Sequence, residues 1–451
     1  MSLRSKTILS VFLLASFFAP FVCAQPTDVQ LERYLTDRGL DDLLAEHLVD
    51  KLGHVQGDER IAVAQQLGNL YIRLLDEAST DEDRTRWAGL ATTLLRLVPE
   101  ADSPDLRINL AKAAYMRAES VAERSRLHMV TPAELAQAER VLRNVSSTFL
   151  ELAQDAHQRA RVLENRLTAQ LDESEEDRIT AELGHARQQR SLGFYYAGWS
   201  EYYLAFLTND KGRAGKALRN FGWLLNAREG DEASFDRLQP DLLRYEHVAR
   251  AAIGASLACV IQGRFTEAIA WLDSVDRSTD TSEGVRKQVF DRRITVLSAA
   301  HLWPDLELHI RRSRATSGPL PPLTARLLVV SCLDALEGPD GRGRSRELIR
   351  RLADVGFQDL IAEGKVAHVL ELVRTYGTEP LGETGFINQY IRGLRAMDRA
   401  KEAGEAAGES DTGPVQDRSV AALYREAATM LLESVEQSDA RSFPDEQTKA
   451  L

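Results

Sequence analysis

Apolar residues recur three and four positions apart along almost the whole chain, the spacing that lines one face of an α-helix. Short alternating runs bounded by turn residues, the mark of strands, are missing. Leu, Ala, Arg and Glu dominate, and all four are good helix formers. The pattern predicts roughly eighteen helical segments, separated by Gly, Pro, Asp or Ser breaks. Such breaks fall at 53–57, 99–104, 209–212, 318–322 and 338–343.

One pair of segments is much longer than the rest. Thr131-Pro132-Ala133-Glu134 is a strong helix start, with a capping Thr, a Pro at the first helical position and a Glu placed to close a capping box. Apolar residues follow at Leu135, Ala138, Val141, Leu142, Val145, Phe149, Leu152 and Ala156, then at Ala160, Leu163, Leu167 and Leu171. That seam is coiled-coil-like with a stutter. The acidic knot Asp172-Glu173-Ser174-Glu175-Glu176-Asp177 breaks it and favours the N-terminus of a second helix, which carries Ile179, Leu183 and Ala186. Residues 132–207 therefore read as a long antiparallel helical hairpin. Tyr195, Tyr196, Trp199, Tyr202, Tyr203 and Phe206 crowd its end. Packing against the next helix pair is the simpler reading of these rings, and a carbohydrate or peptide platform is the alternative.

The segment ARAAIGASLACVIQGRFTEAIAWLDSV at 249–275 holds two amphipathic helices joined at Gly263. Ala255, Ser256 and Ala268 are small enough for close approach, and Phe265, Ile269 and Leu272 fill the interface. This segment resembles a tetratricopeptide repeat, with Cys259 where that family usually has Tyr. Leu67-Gly68-Asn69-Leu70-Tyr71 and Leu192-Gly193-Phe194-Tyr195-Tyr196 resemble the start of such a repeat. Leu97-Val98-Pro99 resembles a repeat end, and Lys216-Ala217-Leu218-Arg219-Asn220-Phe221 a second repeat helix. The resemblance is good over 249–275, suggestive over much of 57–313, and fades beyond. It implies a right-handed α-solenoid of helix–turn–helix pairs that presents a groove to a protein or peptide. Carried over by motif, Gln65, Asn69, Arg73, Arg187 and Arg190 face that groove. In the best-matched repeat the equivalent positions are Arg250, Ile253, Leu257 and Val260, which are mostly apolar, so the family's polar clamp for a peptide carboxylate is not reproduced.

The N-terminus changes the compartment. Arg4 and Lys6 precede an apolar run from Ile8 to Phe18, and Val22-Cys23-Ala24 supplies small residues for cleavage before Gln25, so 1–24 reads as a secretory signal peptide. The apolar run is short for a membrane span. A lipid anchor at Cys23 is the weaker alternative, because Pro20-Phe21-Val22 is a poor processing box. Cleavage of 24 of the 451 residues leaves 427, and loss of Arg4 and Lys6 takes the net charge from −12 to −14. An exported protein is expected, periplasmic or extracellular and not membrane-spanning after cleavage. The acidic balance argues against a nucleic-acid partner. Of three cysteines, Cys259 and Cys332 would remain, both inside apolar helices, where buried free thiols are the simpler expectation than a disulfide.

Candidate chemistry is thin. The nine histidines show neither an HExxH motif nor a metal-binding i,i+4 pair, since His47 and His54 lie seven apart and His301 and His309 eight. No GxSxG elbow or GxxxxGK loop occurs, and Gly254-Ala255-Ser256-Leu257-Ala258 ends in Ala mid-helix. No catalytic residue, cofactor or metal is expected. Residues 284–351 hold 13 basic and 7 acidic residues, including clusters at Arg311, Arg312 and Arg314 and at Arg342, Arg344, Arg346, Arg350 and Arg351. An anionic envelope component is a candidate partner there; a plain solvated arginine surface is the simpler reading.

The layout expected is a signal peptide at 1–24, N-terminal helical repeats at 25–130, the long hairpin at 131–208, tetratricopeptide-like repeats at 209–313 and helical pairs at 314–404. A linker at 405–417 and a terminal helix with a frayed tail at 418–451 complete it. The function expected is an exported, non-enzymatic interaction scaffold or adaptor of an envelope complex. The alternative is an all-α enzyme or binding protein for polysaccharide or cell-wall material.

Overall fold

The computed structural model describes residues 28–168, 172–225, 228–338, 340, 343–377, 385–408, 415–438 and 440–451. The signal-peptide segment, Leu171, Arg342 and the middle of the expected linker lie outside these. The described residues are all-helical, with no strand among them. They fall into two compact units, Met1–Leu110 and Ala111–Leu451.

In the first unit, α1 (Asp28–Asp37), α2 (Asp41–His54), α3 (Gly57–Glu77) and α4 (Asp81–Leu97) pack in sequence order. Leu44 and Leu48 of α2 and Trp87 of α4 are buried, as are Leu67, Leu70 and Tyr71 of α3. The rings of Tyr71 and Trp87 lie 6.2 Å apart. Thr80 caps α4 by accepting from the Asp83 amide at 3.1 Å, satisfying a free helix-end N–H. Glu32 ties three helices together, accepting from Lys51 at 2.7 Å and from Gln66 at 3.2 Å. The helix α5 (Pro104–Ser125) contains the boundary between the units, and only its residues from Ala111 onward belong to the second.

The second unit begins with the expected hairpin, α6 (Pro132–Arg166) and α7 (Glu173–Thr208). The capping box at its start is present in full, with Glu134 accepting from the Thr131 amide and Thr131 from the Glu134 amide. Ala138, Leu142, Val145, Phe149, Leu152, Ala156 and Ala160 are buried along the seam, and Leu163 and Leu167 partly so. A Cβ on Gly193 of α7 would sit 2.8 Å from the Ala153 Cβ, so glycine sets how closely the two helices approach. Asp172 caps α7 by accepting from the Glu175 amide at 2.9 Å, which puts the acidic knot in the first turn of the helix.

Next come α8 (Lys211–Gly222), α9 (Glu246–Gln262), α10 (Phe265–Arg277), α11 (Glu283–Ala299) and α12 (Trp303–Ser317). They are followed by α13 (Pro322–Glu337), α14 (Arg346–Ala362), α15 (Val366–Tyr376), α16 (Phe386–Ala406), α17 (Arg418–Val435) and α18 (Pro444–Ala450). Gly263 ends α9 at φ +81, a left-handed conformation glycine adopts without a Cβ clash. Between α9 and α10 the small residues do what their size suggested, and the Ser256 hydroxyl donates to the Ala268 carbonyl at 2.7 Å. Within the segment, α7 packs on α9, α9 on α11, α11 on α13 and α13 on α15. Meanwhile α8 lies against α7 and α9, α10 against α9 and α11, and α14 against α13 and α15.

Two expectations about the C-terminus need correction. The helix α16 runs on through Ala406, past the expected start of the linker at 405. The tail beyond α17 is also not frayed, since Ala440 and Ala450 are buried in the core of the second unit and Phe443 stacks on Phe386 at 5.7 Å. A few apolar anchors suffice to dock an otherwise polar segment, because only the docked face has to leave water.

Candidate functional site

The described residue groups offer no metal centre, since no cluster of three or more His, Cys, Asp or Glu side chains among them could hold an ion. Cys259 and Cys332 are free and buried. Burial pushes the Cys259 thiol up to about 12 and the Cys332 thiol up as well, which disfavours the thiolate form of both.

The most unusual chemistry lies along the part of α5 that belongs to the second unit, and along the loop after it. Helical spacing sets Tyr115, Glu119, Glu123 and Arg126 on one stripe. That stripe faces side chains from α6, α7 and α11. The ring of Tyr115 packs edge-on to Phe149 and Tyr196, and its hydroxyl donates to Glu119 at 3.0 Å. The Tyr203 hydroxyl lies 3.2 Å from Glu119 and donates to Glu123 at 2.7 Å. Arg292 of α11 donates to Glu123 at 2.8 Å. Arg126 donates to the Tyr202 hydroxyl at 2.5 Å and lies over the Phe206 ring at 4.3 Å.

The loop after α5 continues the contact. Arg326 of α13 is 1% exposed and donates to the Leu127 carbonyl at 2.8 Å, the His128 carbonyl at 3.3 Å and Glu371 of α15 at 2.7 Å. His128 stands at φ +53 and its ring stacks on Tyr376 at 5.7 Å. The Tyr376 hydroxyl donates to Asp334. So α5 and its loop reach α7, α11, α13 and α15 through paired charges and tyrosines.

Burial splits the two glutamates. It raises the Glu119 pKa above the ordinary carboxylate range. Burial works on Glu123 in the same direction, but Arg292 and Arg126 outweigh it and hold Glu123 down at about 2. Two carboxylates one helical turn apart thus differ in their tendency to ionise because Arg292 and Arg126 act far more strongly on Glu123 than Arg292 does on Glu119.

A second concavity of about 970 Å³ lies between the hairpin and α8. The Phe194 and Trp223 rings stack at 4.4 Å, with His157 edge-on to Trp223 at 4.8 Å. Glu201 accepts there from Ser146 at 2.8 Å and from Arg213 at 3.0 Å. Phe194 and His157 therefore both lie against Trp223.

The residues expected to face a groove divide between the two units. Gln65, Asn69 and Arg73 are exposed on α3 of the first unit, where Arg73 pairs with Asp41 at 3.1 Å. Arg187 and Arg190 belong to the hairpin of the second unit, where Arg187 pairs with Glu164 of α6 at 2.9 Å and Arg190 is half-buried. Ile253 and Leu257 are buried, and Arg250 pairs with Glu246. Repeat motifs name positions by their place in a short helix; in a hairpin of this length the same letters meet the partner helix instead.

Half of the aromatic group is core packing, and Tyr195, Tyr196 and Phe206 are partly exposed. Trp199, Tyr202 and Tyr203 are buried, against Phe221, Arg126 and the α5 glutamates. The basic stretch is compensated from outside itself only in part, and Arg311, Arg312, Arg344, Arg346 and Arg351 of its clusters are exposed. Arg292 pairs with Glu123, Arg293 with Asp273 and Asp276, Arg314 with Asp359 and Arg326 with Glu371. No family model matches the chain, and no curated protein and no solved structure matches it significantly.

Proposed function

We propose that this chain is an exported, non-enzymatic interaction protein, a scaffold or adaptor built on tetratricopeptide-like helix pairs in an envelope complex. The observation that supports it most is the neighbour pattern from α7 to α15. Each odd-numbered helix packs on the next odd-numbered one, as in stacked helix pairs that each contact only their neighbours. Export rests on the leader pattern of residues 1–24. Binding rather than catalysis fits the pairing of the buried titratable groups with one another. In this reading α5 and its loop engage side chains of the stacked helices. The partner then binds elsewhere, and Gln65, Asn69 and Arg73 on the exposed face of α3 are the residues assigned to it. The polysaccharide reading is weakened, because Trp199, Tyr202 and Tyr203 are buried while Tyr195, Tyr196 and Phe206 are only partly so.

Affinity capture from envelope extracts on the immobilised chain tests this. A stoichiometric protein partner whose capture is lost in Asn69→Arg is the expected result. Capture of no protein, together with turnover of an envelope polymer, overturns it.

A further inference from the structure

The loop of residues 126–131 after α5 is held at its centre. Arg326 of α13 donates to the Leu127 and His128 carbonyls at 2.8 and 3.3 Å. His128 stands at φ +53, a left-handed conformation that is uncommon outside glycine and persists where contacts hold it. Its ring supplies such a contact. Stacked on Tyr376 of α15, it places Nδ1 3.0 Å from the Tyr376 hydroxyl and Nε2 3.5 Å from Asp334 Oδ2 of α13.

The Tyr376 hydroxyl has one proton and donates it to Asp334 Oδ1, so its oxygen accepts from Nδ1. Nε2 faces a carboxylate oxygen. Both ring nitrogens therefore call for a proton, and only the imidazolium carries two. In the neutral ring one tautomer turns an Nε2 lone pair on Asp334, and the other draws the Tyr376 proton away from Asp334. The charges around the ring act in the same sense. Asp334 and Glu337 of α13 favour the cation and Arg326 opposes it, while Glu371 of α15 is bound to Arg326. On α5 and its loop, Arg124 is bound to Glu134 and Arg126 to Tyr202. The Asp334 carboxylate outweighs burial and raises the His128 pKa above its ordinary value.

We propose that His128 is a pH-sensitive latch, fastening the 126–131 loop to α13 and α15 while protonated and loosening it as the pH rises through the neutral range. Its contribution is complete at acid pH and is lost as the pH rises through the folded-state pKa. Loosening frees the end of α5 from the stacked helices. This goes beyond the scaffold reading and does not depend on it.

Hydrogen exchange of the purified full chain at about pH 5.5 and about pH 8.5, read by mass spectrometry and corrected for intrinsic rates, is the test. Relative to the amides of α16, those of 127–131 are expected to be at least about threefold better protected at the lower pH. His128→Gln keeps a polar side chain and is expected to abolish that difference. Asp334→Asn is the second variant, because Asp334 is 51% exposed and its replacement leaves no cavity. It is expected to lower the His128 titration midpoint read by NMR and to shrink the protection difference. A ring that only stacks would move neither. The proposal is overturned if protection is equal at the two pH values, if His128→Gln keeps the difference, or if Asp334→Asn leaves the midpoint and the difference unchanged.

Discussion

The packing around Phe221 and the packing beneath α5 are both buried helix contacts of the second unit, made by opposite means. Phe221 of α8 is fully buried, and its ring meets two glycines. A Cβ on Gly198 of α7 would lie 2.6 Å from the ring, and one on Gly254 of α9 would lie 2.5 Å from it. Shape alone specifies that contact. Beneath α5 the specification is polar, through Tyr203 bridging two glutamates, Arg292 on Glu123, and Arg326 on two loop carbonyls. A dry contact tolerates any chain of the right volume, whereas a charged one tolerates no missing partner.

The first way to break the comparison is to delete the centre of each region. Phe221→Ala is expected to lower stability by about 3–5 kcal/mol through the cavity it leaves. Arg326→Ala is expected to lower it by about 3–5 kcal/mol because Glu371 and the two loop carbonyls lose their shared donor. Urea unfolding measures both. Arg326→Met restoring most of the loss would show that the polar contact is also mostly volume.

Acid sharpens the difference next. The pKa of Glu123 is depressed in the folded chain, so its stabilisation is complete above the unfolded value of about 4.3. It is lost as pH falls from there to about 2, by on the order of 3 kcal/mol. Glu123→Gln is expected to flatten that part of the stability–pH curve, while Phe221→Leu leaves its slope unchanged. Equal slopes in the two variants would remove the polar region from the account.

A smaller effect is expected of Gly254→Ala, which overpacks the ring at about 1–3 kcal/mol. Combining it with Phe221→Leu should recover part of that loss, a coupling read from a double-mutant cycle. Strict additivity would mean that the ring and the glycine do not set each other's position. Smallest is Thr131→Ala, which removes the α6 cap and is expected to lower Tm by an amount corresponding to about 1 kcal/mol.

Much of the helical framework was legible because its signals are local. The Thr131 capping box, the α6 seam, the Gly263 turn and the start of α17 at Arg418 each depend on residues a few positions apart. The Tyr115-Glu119-Glu123 stripe was visible as spacing, but nothing nearby marked it as buried. Its partners Tyr203 and Arg292 lie 80 and 169 positions from Glu123. The same distance hid the ion pairs of Arg292, Arg293, Arg314 and Arg326, whose acids lie outside the 284–351 window. Docking of the tail rests on Phe443 finding Phe386, which no local pattern announces.

The sequence by itself therefore determined that the chain is helical, where many helices begin and end, and which stripe of each is apolar. Those are properties of turns and caps, decided by backbone conformation and near neighbours. Only the tertiary structure decided which stripes meet, that α5 and its loop pair with side chains of α7, α11, α13 and α15, and that Arg126 is left with a buried, unmatched donor. Charge balance and burial are sums over residues brought together by folding. Their values do not exist until the helices have packed.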